Sequence, residues 1–109
     1  MDEVLARRIK MITTRAVLLE FGNSLANPQL RIRAIRTLES FEHDPHIEIV
    51  PLSEELFGEA FDLFRHRMDK AWGLTDCISF VVMREREISE ALTADEHFEQ
   101  AGFVALLNH

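Results

Sequence analysis

Gly73-Leu74-Thr75-Asp76-Cys77-Ile78-Ser79-Phe80-Val81-Val82-Met83-Arg84-Glu85-Arg86 and, just beyond it, Ala91-Leu92-Thr93-Ala94-Asp95-Glu96-His97-Phe98 with Ala101-Gly102-Phe103 carry most of what this chain says. The first run opens on an acid and continues as a helix that is apolar nearly all round, the pattern of a buried helix. The second is strand-like and ends on another acid. A charge at either place is costly unless it is paired or used by a cation.

Working outward, the same alternation of strand and helix runs through the chain. Residues 2–9 read as the end of a helix and residues 10–13 as a short strand. Thr14 suits the N-cap of a helix over residues 16–26, which Asn27-Pro28 stops. Leu30, Ala34, Ile35, Leu38 and Phe41 recur near helical spacing. His43-Asp44-Pro45 is a turn, and Ile47-Glu48-Ile49-Val50 alternates like a strand before Pro51 ends it.

Ser53 then caps a helix whose first turn holds Glu54 and Glu55, favourable at the positive end of the helix dipole. Leu56, Phe57, Ala60, Phe61 and Phe64 form its apolar face, and it is expected to run to about Asp69. Gly73 breaks it, and Thr75 caps the apolar helix that ends near Arg86. A strand over residues 88–93, a short helix over 96–101 and a last strand over 103–107 complete the chain. Strand–helix alternation of this kind predicts an α/β fold with a parallel sheet flanked by helices.

The chain's 109 residues are read as one domain, residues 1–109, and an apolar share of 47% supports a core. Nothing resembles a membrane span or a signal peptide, so the expected location is cytoplasmic, with no membrane partner. The one cysteine, Cys77, lies in an apolar run and reads as a small core residue. A net charge of −7 argues against a general nucleic-acid binder but leaves room for a nuclease, because an acidic pocket accepts phosphate once a divalent cation fills it. The basic residues gather in three clusters, Arg7/Arg8/Lys10, Arg31/Arg33/Arg36 and Arg65/Arg67/Lys70, each of which also fits a solvated helix face.

Three acids sit where solvation alone does not account for them. Glu20 falls inside Val17-Leu18-Leu19-Glu20-Phe21, Asp76 leads the buried helix, and Asp95 closes the strand before the last short helix. Each has a local alternative: Glu20 facing water, Asp76 serving the helix dipole, and Asp95 acting as an N-cap. Together they suggest a site, since the carboxyl ends of parallel strands are where open α/β sheets bind ligands. Converging carboxylates need a cation, and hard oxygen ligands select Mg²⁺ or Mn²⁺. His43 and His46 straddle a turn proline and lack further zinc ligands. His97 follows Asp95 closely enough to share its cleft, but a surface or capping role fits it better, and Trp72 reads as core ahead of a surface for stacking a base.

With these residues in hand, a family resemblance is visible. Leu74-Thr75-Asp76-Cys77-Ile78-Ser79-Phe80 and Leu92-Thr93-Ala94-Asp95-Glu96-His97-Phe98 resemble the C-terminal half of a PIN domain. Thr13-Thr14 with Val17-Leu18-Leu19-Glu20-Phe21-Gly22-Asn23 resembles its second strand and the following helix. The likeness points to the VapC-like toxins of bacterial toxin–antitoxin pairs. It implies a metal-dependent endoribonuclease that cuts single-stranded RNA, with Glu20, Asp76 and Asp95 as catalytic metal ligands for Mg²⁺ or Mn²⁺. Thr75 would supply a hydroxyl at the margin of the site, and an antitoxin protein would be the partner.

The pattern also departs from the family. A PIN domain opens on an apolar central strand ending in an aspartate, whereas this chain opens on Met1-Asp2-Glu3-Val4-Leu5-Ala6-Arg7-Arg8. Asp2 does not fill that role, so the expectation is a PIN-like sheet with its first central strand and one acidic ligand missing. Unpaired edges would then favour homo-oligomers. Glu87 stands where a glycine commonly ends the helix, and a left-handed cap there would be strained. The alternative functions are a catalytically weak or inactive PIN-like domain serving as a folding remnant or partner-binding module, and a plain α/β interaction module.

Overall fold

Thr14 marks the first change from strand to helix. In the computed structural model, which describes residues 11–93 and 95–108, its side-chain oxygen accepts a hydrogen bond from the Val17 amide at 3.1 Å. The expected helix end at residues 2–9, Lys10, Asp2 and the first basic cluster lie outside the described residues. Backbone contacts gather into two compact units, Met1–Leu52 and Ser53–His109.

The first unit holds β1 (Met11–Thr14), α1 (Arg15–Ser24), α2 (Pro28–His43) and β2 (Ile47–Val50). The helix α1 stops two residues earlier than the sequence suggests, and Ser24 donates its hydroxyl to the Phe21 carbonyl at 2.8 Å. Asn27 does not prolong it. Its side chain instead caps α2 by accepting from the amides of Gln29 at 2.9 Å and Leu30 at 3.2 Å. Pro28 follows at the first helical position, where a missing N–H leaves nothing unpaired. An ion pair between Arg15 and Glu42 ties the two helices together. β1 and β2 pair in parallel, with Met11 opposite Ile47 and Thr14 opposite Val50. Ala16, Leu18 and Ala34 are the buried apolar residues here among the described residues.

The second unit holds α3 (Glu54–His66), α4 (Leu74–Glu85), β3 (Glu90–Ala91), α5 (Glu96–Gln100), β4 (Val104–Ala105) and a closing 3₁₀ turn (Leu106–Asn108). Ser53 caps α3 by accepting from the Leu56 amide at 3.1 Å, as its sequence predicts. The helix ends at His66, short of Asp69. Its apolar stripe divides: Leu56 and Ala60 are buried, while Phe57, Phe61 and Phe64 remain 41%, 40% and 44% exposed.

The helix α4 is buried as expected through Cys77, Ile78, Ser79, Phe80, Val82 and Met83. Cys77 is fully enclosed, and burial pushes its thiol pKa up, which makes it a core residue and a poor nucleophile. The start of α4 differs from the sequence reading. Gly73, not Thr75, is the N-cap, and Thr75 is already in the first turn. The end of α4 matches it: Glu87 is held at a φ of 56°, the left-handed region. The Ile88 amide reaches back to the Met83 carbonyl at 2.8 Å and the Glu87 amide to Arg84 at 3.2 Å, the bonds of a Schellman cap.

Both C-terminal strands are shorter than predicted. The Thr93 amide turns back to the Ala91 carbonyl at 2.9 Å, which ends the β3 ladder, and the residues after Ala105 coil into the 3₁₀ turn. β3 and β4 pair in parallel, Glu90 with Val104 and Ala91 with Ala105. The described strands therefore form two separate two-stranded parallel sheets, with no strand among the described residues joining them.

Candidate metal centre

The two acids of the C-terminal stretch are first of all helix-start residues. Gly73 caps α4 without a side chain, so the reciprocal bond comes from Asp76, whose Oδ2 accepts from the Gly73 amide at 3.0 Å. Asp95 caps α5: its Oδ1 accepts from the His97 amide at 2.8 Å, and its own amide donates to Thr93 Oγ1 at 3.1 Å. Asp95 therefore lies beyond β3 rather than closing it, because that strand ends at Ala91.

An aromatic cluster brings the two helix starts together. Phe80, fully buried on α4, meets Phe98 of α5 edge to face with centroids 4.9 Å apart. It also meets Trp72 at 5.0 Å and Phe103 at 5.7 Å. The Trp72 indole N–H donates to Gln100 Oε1 at 3.1 Å, which ties the far end of α5 to the same core. Aromatic pairs of this kind add about 0.5–1.5 kcal/mol each beyond simple burial.

The outcome is a group of three: ligand atoms of Asp76, Asp95 and His97 all lie within 4.8 Å of one another. The His97 Nδ1 sits 3.3 Å from Asp76 Oδ2 and 3.3 Å from Asp95 Oδ1. Both are ion-pair distances, yet the ring nitrogen is aligned with neither oxygen. It is buried and makes no hydrogen bond. Two facing carboxylates and an orphaned buried nitrogen form a donor set that a divalent cation satisfies. Side-chain exposures of 22% for Asp76 and 41% for Asp95 leave the group open to water on one side.

Other expected residues fall elsewhere. Thr75 is half-buried in the first turn of α4, next to Asp76. Glu20 is exposed on α1 in the first unit, outside the three-residue group. His43 and His46 are exposed and belong to no metal-capable group among the described residues. His97 is the member for which the sequence favoured a surface or capping role over the cleft, and the structure places it with the two acids. Its signal was the Asp95-x-His97 spacing, which places the ring over the cap of its own helix.

The PIN domain family matches residues 2–104. This chain belongs to the PIN domain family. Its fold is also that of VapC20 from Mycobacterium tuberculosis, a sarcin–ricin-loop-cleaving toxin known from a crystal structure. The two are 24% identical with a TM-score of 0.79, over 94% of this chain and 79% of that one. No curated protein matches the chain. In this PIN domain, then, Asp76 and Asp95 stand at the starts of two helices that share one aromatic core.

Proposed function

We propose that this PIN domain is a metal-dependent endoribonuclease of the VapC toxin type, cutting phosphodiester bonds of single-stranded RNA. The observation that carries the reading is the convergence of Asp76, Asp95 and the unpartnered His97 Nδ1 at the starts of α4 and α5. Asp76 and Asp95 would hold Mg²⁺ or Mn²⁺, hard ions suited to carboxylate oxygens. When bound, such an ion polarises a phosphoryl oxygen and lowers the pKa of a coordinated water. Family membership supports Glu20 as a further acidic ligand and Thr75 as a hydroxyl at the margin.

The chain's own residues prepare this chemistry before any ion arrives. The Gly73 and His97 amides each donate to one carboxylate oxygen, which fixes both acids in place. Preorganised ligands lose little freedom on binding. The net charge of −7 repels RNA until the cation neutralises the pocket, so metal and RNA should bind in that order. The substrate class extends by analogy to exposed loops such as the one VapC20 cleaves. An antitoxin protein covering the acidic cleft is the expected partner, and the cytoplasm is the expected place of action. No helix among the described residues is long and apolar enough to cross a membrane.

One observation favours a second reading, a PIN domain with weak or no catalysis that serves as a partner-binding module. Both carboxylates already have structural duties as helix caps, and these duties need no ion.

Cleavage of single-stranded and loop RNAs with added Mg²⁺ or Mn²⁺ separates the two. The nuclease reading expects metal-dependent cleavage that drops by about 10²-fold or more in Asp76→Asn and in Glu20→Gln. Absent cleavage in the parent chain, or equal cleavage in Asp76→Asn, would leave the binding-module reading standing.

A further inference from the structure

We infer that His97 Nδ1 is a direct ligand to the divalent ion and biases this site toward Mn²⁺ over Mg²⁺. The inference rests on the metal-centre reading and adds a nitrogen donor to a set that family resemblance describes with carboxylates alone. Its basis is the position of one atom. Nδ1 is buried, without a hydrogen-bond partner, and 3.3 Å from one oxygen of each acid.

A buried ring nitrogen without a hydrogen bond is costly, so its position asks for a cause. An aligned hydrogen bond is not that cause, and ion pairing with the two carboxylates at 3.3 Å acts only on the protonated ring, which leaves the neutral ring without a partner. An ion is a sufficient one. Adjacent ligands at about 2.1 Å from an octahedral metal lie about 3.0 Å apart, close to the separations seen here. The local fold holds His97 there through one hydrogen bond and one ring contact that do not involve its imidazole. The His97 amide is pinned to Asp95 at 2.8 Å, and the next residue, Phe98, is packed on Phe80 at 4.9 Å. The backbone of His97 is therefore held beside the two acids.

The consequence is a change in metal preference. Carboxylates and waters satisfy Mg²⁺, whereas an imidazole nitrogen favours the later divalent ions and raises Mn²⁺ affinity more than Mg²⁺ affinity. Neutral imidazole is the ligating form, with its remaining proton on Nε2.

Pulsed electron paramagnetic resonance of Mn²⁺ added to the purified chain tests the assignment without relying on activity. The expected result is a directly coordinated ¹⁴N signal that becomes a ¹⁵N signal when the protein carries ¹⁵N-histidine. In His97→Gln that signal disappears, Mn²⁺ affinity falls by about tenfold, and Mg²⁺ affinity changes by less than about threefold. Circular dichroism melting checks that the variant folds, and isotope labelling of the parent chain gives the answer even if it does not. Mn²⁺ bound at a site abolished by Asp76→Asn, but with no histidine nitrogen, overturns the ligand assignment and leaves the metal centre intact. Failure to bind Mn²⁺ at all overturns both.

Discussion

Phe80 and Phe98 meet edge to face with ring centroids 4.9 Å apart, and this contact sets the two candidate ligand helices against each other. Phe98 immediately follows His97, so its burial against Phe80 fixes the direction of the imidazole. Truncation in Phe98→Ala should therefore act twice. Loss of a partly buried aromatic should cost about 2–4 kcal/mol of stability, followed by the fluorescence of Trp72, which meets Phe80 edge to face at 5.0 Å. Metal affinity should fall by about tenfold as α5 loosens, whereas Phe98→Leu should keep most of both. Unchanged Mn²⁺ affinity in Phe98→Ala, measured by calorimetry on folded protein, would show that the aromatic core does not position the site.

Glu87 gives a prediction of opposite sign. It holds a φ of 56° at the end of α4, where the Schellman bonds from Glu87 and Ile88 close the helix. A side-chain-bearing residue pays about 1–2 kcal/mol there, and glycine returns part of that gain through the entropy of the unfolded chain. Glu87→Gly should stabilise the protein by about 0.5–1 kcal/mol in urea unfolding. Glu87→Ala, which keeps the Cβ, should show no such gain. Destabilisation by the glycine would mean that the Glu87 side chain contributes something the backbone account omits.

Much of this was legible in the residues. Thr14 and Ser53 cap the helices that follow them because a hydroxyl before a helix has one efficient use, the first free amides. The apolar character of α4 required burial, and Cys77 and Phe80 are fully enclosed. What escaped depended on contacts the one-dimensional pattern does not encode. Gly73 took the N-cap from Thr75 because Asp76 reaches back to its amide. The strands around Ala91 and Ala105 shrank to two residues each because their neighbours turn back on themselves. His97 joined Asp76 only through the packing of α5 on α4, a contact between distant residues.

Glu59 on α3 lies beside Glu85 on α4. A hydrogen bond with Glu85 holds the Glu59 carboxyl above its ordinary range, assisted by desolvation and by the charges of Glu85 and Glu55. A raised folded-state pKa means that the folded protein takes up a proton before the unfolded chain does. The resulting stability is present at low pH, below the ordinary glutamate value, and is lost as pH rises through the Glu59 pKa. Both groups meet solvent, so the effect should be small and screened by salt. Glu59→Gln, which supplies a permanent donor, should raise the melting temperature at pH 7 relative to the parent. That advantage should shrink near pH 4 and in high salt. Equal melting curves for the two proteins across the whole pH range would dismiss the pair as a contributor.

Short sheets predict association between copies. Among the described residues each strand has a single strand neighbour, so β1–β2 and β3–β4 are two-stranded ribbons with edges that no other described strand pairs. Two-stranded parallel ribbons are weak on their own, and unpaired N–H and C=O groups along them are templates for another chain. Pairing between copies would satisfy those groups with no change of sequence. Light-scattering mass should therefore rise above that of the 12.6 kDa monomer as concentration increases. Amide hydrogen exchange in residues 11–14 and 90–91 should slow in step with that rise, because edge amides become bonded only in the assembly. A monomer mass at millimolar concentration would exclude association. An oligomer with unchanged exchange at both strands would place the interface elsewhere, and the exposed Phe57, Phe61 and Phe64 side chains of α3 would be the next surface to substitute.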